Sequence, residues 1–217
     1  MTLSVADGSL SATTAFALTV TAVNDIPVIS DIADQTTHED NAIQAIAFTI
    51  TDIETDDNNL ILSVSSSDLT IVSLSNIVIS GTGSNRSLSI TPAANESGAL
   101  SITISVSDGS LTATTSFEIS ITPVNDAPIL ENPILNQMTL SENPFTYTIA
   151  ENTFNNVDPG DTLSYTVSMA DGSALSAWFT FEPSTRTFSG TPTISDVGMI
   201  TIMVTATDSE SVSVTDV

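Results

Sequence analysis

The chain of 217 residues has no cysteine, no lysine, one histidine and one tryptophan, and two cations, Arg86 and Arg186, stand against 26 Asp and Glu. Each scarcity excludes a class of chemistry. Without Cys there is no disulfide framework, thiolate nucleophile or Cys-ligated zinc or iron–sulfur site. A single His38 rules out a multi-His metal centre and leaves one candidate base for a His-based triad. A net charge of −24 repels nucleic acid and anionic membrane surfaces, because binding them depends on Lys and Arg displacing counterions. No run of about 18 apolar residues exists, so direct membrane insertion is not expected. The opening residues MTLSVADGSL lack the basic and apolar regions of a signal peptide and read as a cut inside a larger protein.

What is present argues for a packed fold. Hydrophobic residues make up 41% and charged residues 13%, the reverse of the balance that keeps a chain disordered. An internal repeat organises the chain. SVADGSLSATTAFALTVTAVNDIP (4–27) aligns without gaps to SVSDGSLTATTSFEISITPVNDAP (105–128), pairing Asp7 with Asp108, Phe16 with Phe117 and Asn24-Asp25 with Asn125-Asp126. A period near 100 residues suits a small β-sandwich rather than a solenoid rung. The expected organisation is residues 1–27 as the last two strands of one unit, 28–127 as a complete unit, and 128–217 as a unit of another subtype whose last strand has only begun.

Ser and Thr supply roughly three residues in ten, well above ordinary usage. They alternate with apolar residues: Ile102, Ile104 and Val106 against Thr103, Ser105 and Ser107, and Phe117, Ile119 and Ile121 against Glu118, Ser120 and Thr122. Period-two alternation predicts strands with one buried and one wet face. Strands are expected at 28–37, 43–51, 60–66, 69–79, 86–91, 99–107 and 111–122. Seven antiparallel strands in this length predict an all-β, immunoglobulin/cadherin-like Greek-key sandwich, repeated in tandem.

Successive strands reverse direction, so alternate loops share an end. Asp52, Glu54 and Asn59 after the second strand, and Asp108 before the seventh, gather beside the entering linker Asn24-Asp25. Glu39 after the first strand and Glu96 before the sixth gather at the other end, beside the leaving linker Asn125-Asp126. Carboxylates held together repel unless they share a cation. With no lysine to supply it, a metal is the expected cation. An all-oxygen donor set selects Ca²⁺ or Mg²⁺, and irregular loops with many oxygens suit the larger Ca²⁺.

This pattern resembles the cadherin-like repeats of large bacterial surface adhesins whose units end in VNDAP. The resemblance implies calcium ligands at Glu39 in THEDN, Glu96 in AANESG, the linker residues of AVNDIP and PVNDAP, Asp52 and Glu54 with Asn59, and Asp108. The first Asp and last Asn of the cadherin linker are missing here, as is the Asp that leads the Glu96 motif, so one or two ions per junction are expected rather than three. Residues 136–208, with FTYTIAENTF, VDPGDTLSYTV and DVGMITIMVTATD, resemble a dystroglycan-type cadherin-like domain. That likeness places Asp158, Asp161 and Asp208 beside Asn125-Asp126, Glu39 and Glu96, Glu142 and Asp196 at a following junction, and Asp7 at a preceding one.

The implied function is a calcium-binding, extracellular spacer on a bacterial cell surface, stiffening an adhesin for cell adhesion or biofilm growth, with neighbouring repeats of the same polypeptide as partners. The alternative is a module binding a polysaccharide or a cell-surface protein, for which Trp178-Phe179 could form a sugar-stacking platform or, as the resemblance implies, pack the core. Adaptation to salt would also raise acidity, but it spreads acids over strand faces instead of gathering them in loops. His38 reads as an exposed loop residue and the two arginines as partners of carboxylates. Paired acids could in principle hydrolyse glycosides, but no insertion builds a cleft, and no enzyme is expected.

Overall fold

The computed structural model describes residues 1–217 and contains strands and two short 3₁₀ turns but no α-helix. No helix is therefore long and apolar enough to cross a membrane. The chain divides into two compact units, Met1–Ile121 and Thr122–Val217, each with a separate core.

The first unit opens with a two-stranded hairpin, β1 (Thr2–Ala6) and β2 (Ser11–Ala15), whose residues are all exposed. A sandwich of two four-stranded sheets follows. One sheet has the order β3 (Val28–Ile29), β5 (Ile43–Thr51), β8 (Asn85–Ile90) and β7 (Ile77–Thr82). The facing sheet runs β4 (Gln35–His38), β10 (Thr112–Thr122), β9 (Gly98–Ser107) and β6 (Ile61–Ser66). Alternation decides which face is buried. Along β9, Leu100, Ile102, Ile104 and Val106 are buried while the Ser and Thr between them are partly exposed. They meet Phe48, Ile50, Leu88 and Ile90 of the opposite sheet in one apolar cluster. Each such side chain contributes about 1.5–3 kcal/mol on burial.

Two expected strands differ in detail. The first is split: β3 lies beside β5 in one sheet and β4 beside β10 in the other, so the segment between them crosses the sandwich edge. Ile32 is buried in that crossing, and Asp34 Oδ1 accepts the Glu118 N–H at 2.8 Å. The fourth, expected at 69–79, becomes a turn, a 3₁₀ turn over Leu74–Asn76 and then β7. Asp68 Oδ1 accepts the Thr70 N–H and hydroxyl at 2.9 and 2.6 Å, which bends the backbone where alternation alone predicts extension. Ile71 and Val72 plug the core from this turn.

The second unit has three small sheets: β11 (Ile129–Leu130) with β13 (Phe154–Asn155); β12 (Phe145–Thr148), β16 (Thr187–Gly190) and β15 (Phe179–Glu182); and β14 (Ser164–Met169), β17 (Ile202–Thr207) and β18 (Ser213–Asp216). Its core is aromatic where the first is aliphatic. Phe179 stacks on Phe188 with centroids 5.2 Å apart, and Phe145 and Trp178 tilt against Phe179 at 5.8 and 4.8 Å. The final residues form an ordered strand: β18 pairs with β17 from Thr207↔Ser213 to Val204↔Asp216. Asp216 Oδ2 also accepts the Ile134 N–H at 2.6 Å.

Candidate metal sites at the sandwich poles

In the first unit the β9–β10 hairpin turns at Asp108-Gly109, with Gly109 at φ +98°, a conformation that favours glycine. Asp108 Oδ1 accepts the N–H groups of Ser110 and Leu111 at 2.6 and 2.7 Å, while Oδ2 accepts the Asn24 side-chain amide at 2.7 Å. One carboxylate thus fixes the turn and holds the linker. Hydrogen bonding from Leu111, then from Asn24 and Ser110, lowers the Asp108 pKa below the ordinary carboxylate value. The loop between β5 and β6 supplies the other side: Glu54 Oε2 accepts the Asp25 N–H at 3.1 Å. Asp52 Oδ1 caps its own loop, accepting the N–H groups of Glu54 and Thr55 at 3.0 and 2.7 Å. Its Oδ2 is buried without a hydrogen-bond partner.

The second unit repeats this arrangement on a different sequence. The Asn125 amide donates to Asp208 Oδ2 at 3.0 Å, and the Asp126 N–H donates to Asp158 Oδ2 at 2.9 Å. Asp208, itself buried, uses Oδ1 to accept the Val212 N–H at 2.7 Å. A carboxylate oxygen of Asp126 lies within 4.8 Å of one of Asp158. Asp161 ties the two loops together, accepting the Asn156 amide at 2.6 Å, the Thr162 N–H at 2.6 Å and the Ser209 N–H at 3.3 Å. Hydrogen bonds from Ser209 and Thr162 lower its pKa. A shallow open groove beside these groups is lined by Asn125, Asp158, Asp161 and Glu210.

The structure therefore brings Asn24, Asp25, Asp52, Glu54 and Asp108 together in the first unit, and Asn125, Asp126, Asp158, Asp161 and Asp208 in the second. Asn59 is exposed, its backbone N–H donating to the Asp56 carbonyl at 2.7 Å. The neighbouring Asn58 instead has the structural task, accepting the Gly83 N–H at 2.7 Å and so pinning this loop to the β7–β8 turn. At the opposite pole Glu39 is buried, with 4% of its surface exposed, whereas Glu96 is exposed. The loops carrying them are joined by Asp40 Oδ1, which accepts the Asn95 N–H at 3.1 Å. Glu142 and Asn95 both have positive φ. Asp196 closes a capping box with Thr193, and Asp7 caps the β1–β2 turn.

Sequence reasoning missed Asn156 and Ser209, which bond Asp161. The run NNVDPGD carries the only available signal for the first, an amide two residues before a loop aspartate. The remaining singled-out residues have plain roles. His38 is exposed at the end of β4. Trp178 packs against the second core cluster, its ring over Gly190. Arg86 donates to the Asp57 carbonyl at 3.0 Å rather than to a carboxylate, and Arg186 pairs with Glu151 at 3.0 Å near the surface, a contact of small energetic weight.

Residues 24–122 match the family model described as "Bacterial Ig domain", and residues 127–217 match that described as "Putative Ig domain". No curated protein matches the sequence. Among solved structures, the chain is similar to a protocadherin GammaB4 extracellular domain, with 18% identity and a TM-score of 0.46 over 95% of this chain and 36% of that one. It is also similar to an endo-fucoidan hydrolase of glycoside hydrolase family 107, with 21% identity and a TM-score of 0.39 over 100% of this chain and 33% of that one. A third likeness is to the titin domains Z1Z2, crystallised with telethonin, at 16% identity and a TM-score of 0.37 over 90% and 95%. The chain spans about a third of the length of the hydrolase. The sequence is thus a tandem of immunoglobulin-like β-sandwich domains, the first matching the bacterial type.

Proposed function

We propose that this chain is a calcium-binding extracellular spacer of a bacterial surface adhesin, in which the ion fixes each linker onto the domain that follows it. The observation that carries this reading is the recurrence of one arrangement in two dissimilar domains. In each, the linker Asn amide bonds the hairpin aspartate and the linker Asp N–H bonds an acid of the loop after the second strand. The residues present suit a hard divalent cation. All candidate donors are carboxylate, amide or carbonyl oxygens, and the buried Asp52 Oδ2 has no hydrogen-bond partner within the protein. Asp25, Asp52, Glu54 and Asp108 would hold the ion in the first unit, and Asp126, Asp158, Asp161 and Asp208 in the second.

The chain's own residues give the expected consequence. Without the cation, closely placed carboxylates repel, and the linker is held by single neutral and charge-assisted hydrogen bonds. With it, the repulsion becomes the attraction that seats the linker. Extracellular calcium modules bind at about 10⁻⁴–10⁻³ M. At about 100-fold above Kd, each site stabilises the folded form by roughly 2.7 kcal/mol.

Calorimetry on chelator-treated protein tests this directly. Millimolar calcium should raise the melting temperature and release titratable binding heat, and a combined Glu54→Gln and Asp158→Asn variant should lose most of both. Unchanged melting and no binding heat at 10-fold above that affinity range, roughly 10 mM calcium, would sink the proposal.

A further inference from the structure

The chain's two cations occupy equivalent positions. SNRSLSITP (84–92) and STRTFSGTP (184–192) align at an offset of 100 residues, matching Ser84, Arg86, Ser89, Thr91 and Pro92 with Ser184, Arg186, Ser189, Thr191 and Pro192. Each guanidinium has one buried nitrogen without a hydrogen-bond partner, Nη1 in Arg86 and Nε in Arg186. In a chain with 26 acids, neither cation pairs with a candidate metal donor: Arg186 meets the exposed Glu151, and Arg86 meets a backbone carbonyl.

That carbonyl belongs to the loop on which the first site depends. Period two places Arg86 on the same face of β8 as Leu88 and Ile90, both 0% exposed, so its side chain leaves the strand on the core side. It reaches the β5–β6 loop, where Nη2 donates to the Asp57 carbonyl at 3.0 Å; at the next residue Asn58 Oδ1 accepts the Gly83 N–H at 2.7 Å. The β7–β8 hairpin thus holds the second half of the loop at two adjacent residues. The first half carries the donors: Asp52, which accepts the Glu54 and Thr55 N–H groups, and Glu54, which accepts the Asp25 N–H. Four of the six residues from Asp52 to Asp57 are acids, and their mutual repulsion works to open the loop. An arginine paired with one of them would withdraw a donor from the cation. Bonded to a carbonyl, it braces the loop and leaves the carboxylates available.

We infer that Arg86 is a positioning residue for the first unit's cation site, holding the Asp57 carbonyl so that the loop presents Asp52 and Glu54 to the linker. The inference rests on the calcium reading for its ligand, but not for the bracing of the loop. The sign of its effect separates it from a purely electrostatic role. A positive charge near the site repels the cation, so removing that charge tightens binding if charge alone matters. Removing a brace weakens binding, as loss of the outer groups that orient metal ligands does.

The test uses the full chain with Asp158→Asn added to disable the second unit's site, and compares that parent with its Arg86→Met and Arg86→Lys derivatives. Arg86→Met should weaken calcium binding by about 10-fold or more in a calorimetric titration. Arg86→Lys, which keeps a donor and the charge, should recover most of the loss. In chelator, the Glu54 and Thr55 amides should exchange on the order of 10-fold faster in Arg86→Met, while β9 and β10 keep their protection. Unchanged or tighter binding in Arg86→Met, or unchanged exchange of those two amides, would overturn the inference. Loss of protection in β9 and β10 would do the same, because it would assign Arg86 to the core. A parent protein that binds no calcium would instead remove the calcium reading, and exchange in the metal-free loop would still decide whether Arg86 braces it.

Discussion

Asp68 shows how one side chain can redirect a segment whose neighbours all favour a strand. Its carboxylate bonds the Thr70 hydroxyl and N–H, with a longer bond from the Ile71 N–H at 3.4 Å. Those bonds lower its pKa below 3.8, Thr70 contributing most. Asp196 is lowered in the same way by Thr193. A carboxylate with a depressed folded pKa adds stability above the unfolded value, and that stability is lost as pH falls through the folded value. Stability should therefore hold down to about pH 4 and decline below it. Asp68→Asn should flatten part of that decline, because its amide does not titrate, and should leave the protein less stable at pH 7. Melting curves from pH 7 to 2 check both; a decline beginning near pH 6 would contradict the assignment.

At the scale of elements, the well-read segments are those where alternation and turn chemistry agree. β9 and β10 lie within about a residue of their expected bounds because apolar residues recur at every second position from Leu100 to Val106 and from Phe117 to Ile121, on either side of an Asp-Gly turn. The first and fourth strands were read too long because periodicity is blind to which sheet a strand joins and to side-chain bonds that bend the backbone. β16 adds a constraint that no pattern reveals. At Gly190 a Cβ would collide with the Trp178 carbonyl oxygen and lie 2.9 Å from the indole Cε3. Gly190 pairs with Phe145 on one side and Phe179 on the other, so the strand cannot shift away. Gly190→Ala should cost about 1–3 kcal/mol or more, measured by denaturant unfolding, while Gly198→Ala, which meets open space, should cost far less.

Across the whole molecule, the two cores share no residues, one built on Ile and Leu, the other on stacked Phe. Each should give its own cooperative transition. Phe48→Ala should lower one and Phe188→Ala the other, each by about 3–5 kcal/mol, with the untouched transition serving as control in a single scan. Equal displacement of both transitions by either variant would show that the cores unfold as one.

The candidate sites divide along the same line. The sequence by itself determined that the chain is all-β, that a 101-residue repeat frames it, and which acids lie in which loops, because side-chain period, turn residues and self-similarity are local properties of the chain. It also placed Asn24 with Asp108 by counting strand reversals. Only the tertiary structure decided that Asp108 and Asp208 each divide their two oxygens between a turn and a linker amide, that Asp52 buries one oxygen while Asn59 stays outside, and that Asn156 and Ser209 hold Asp161. Those outcomes depend on where oxygens come to rest when loops distant in sequence are brought together by packed sheets, and neither period nor spacing encodes that.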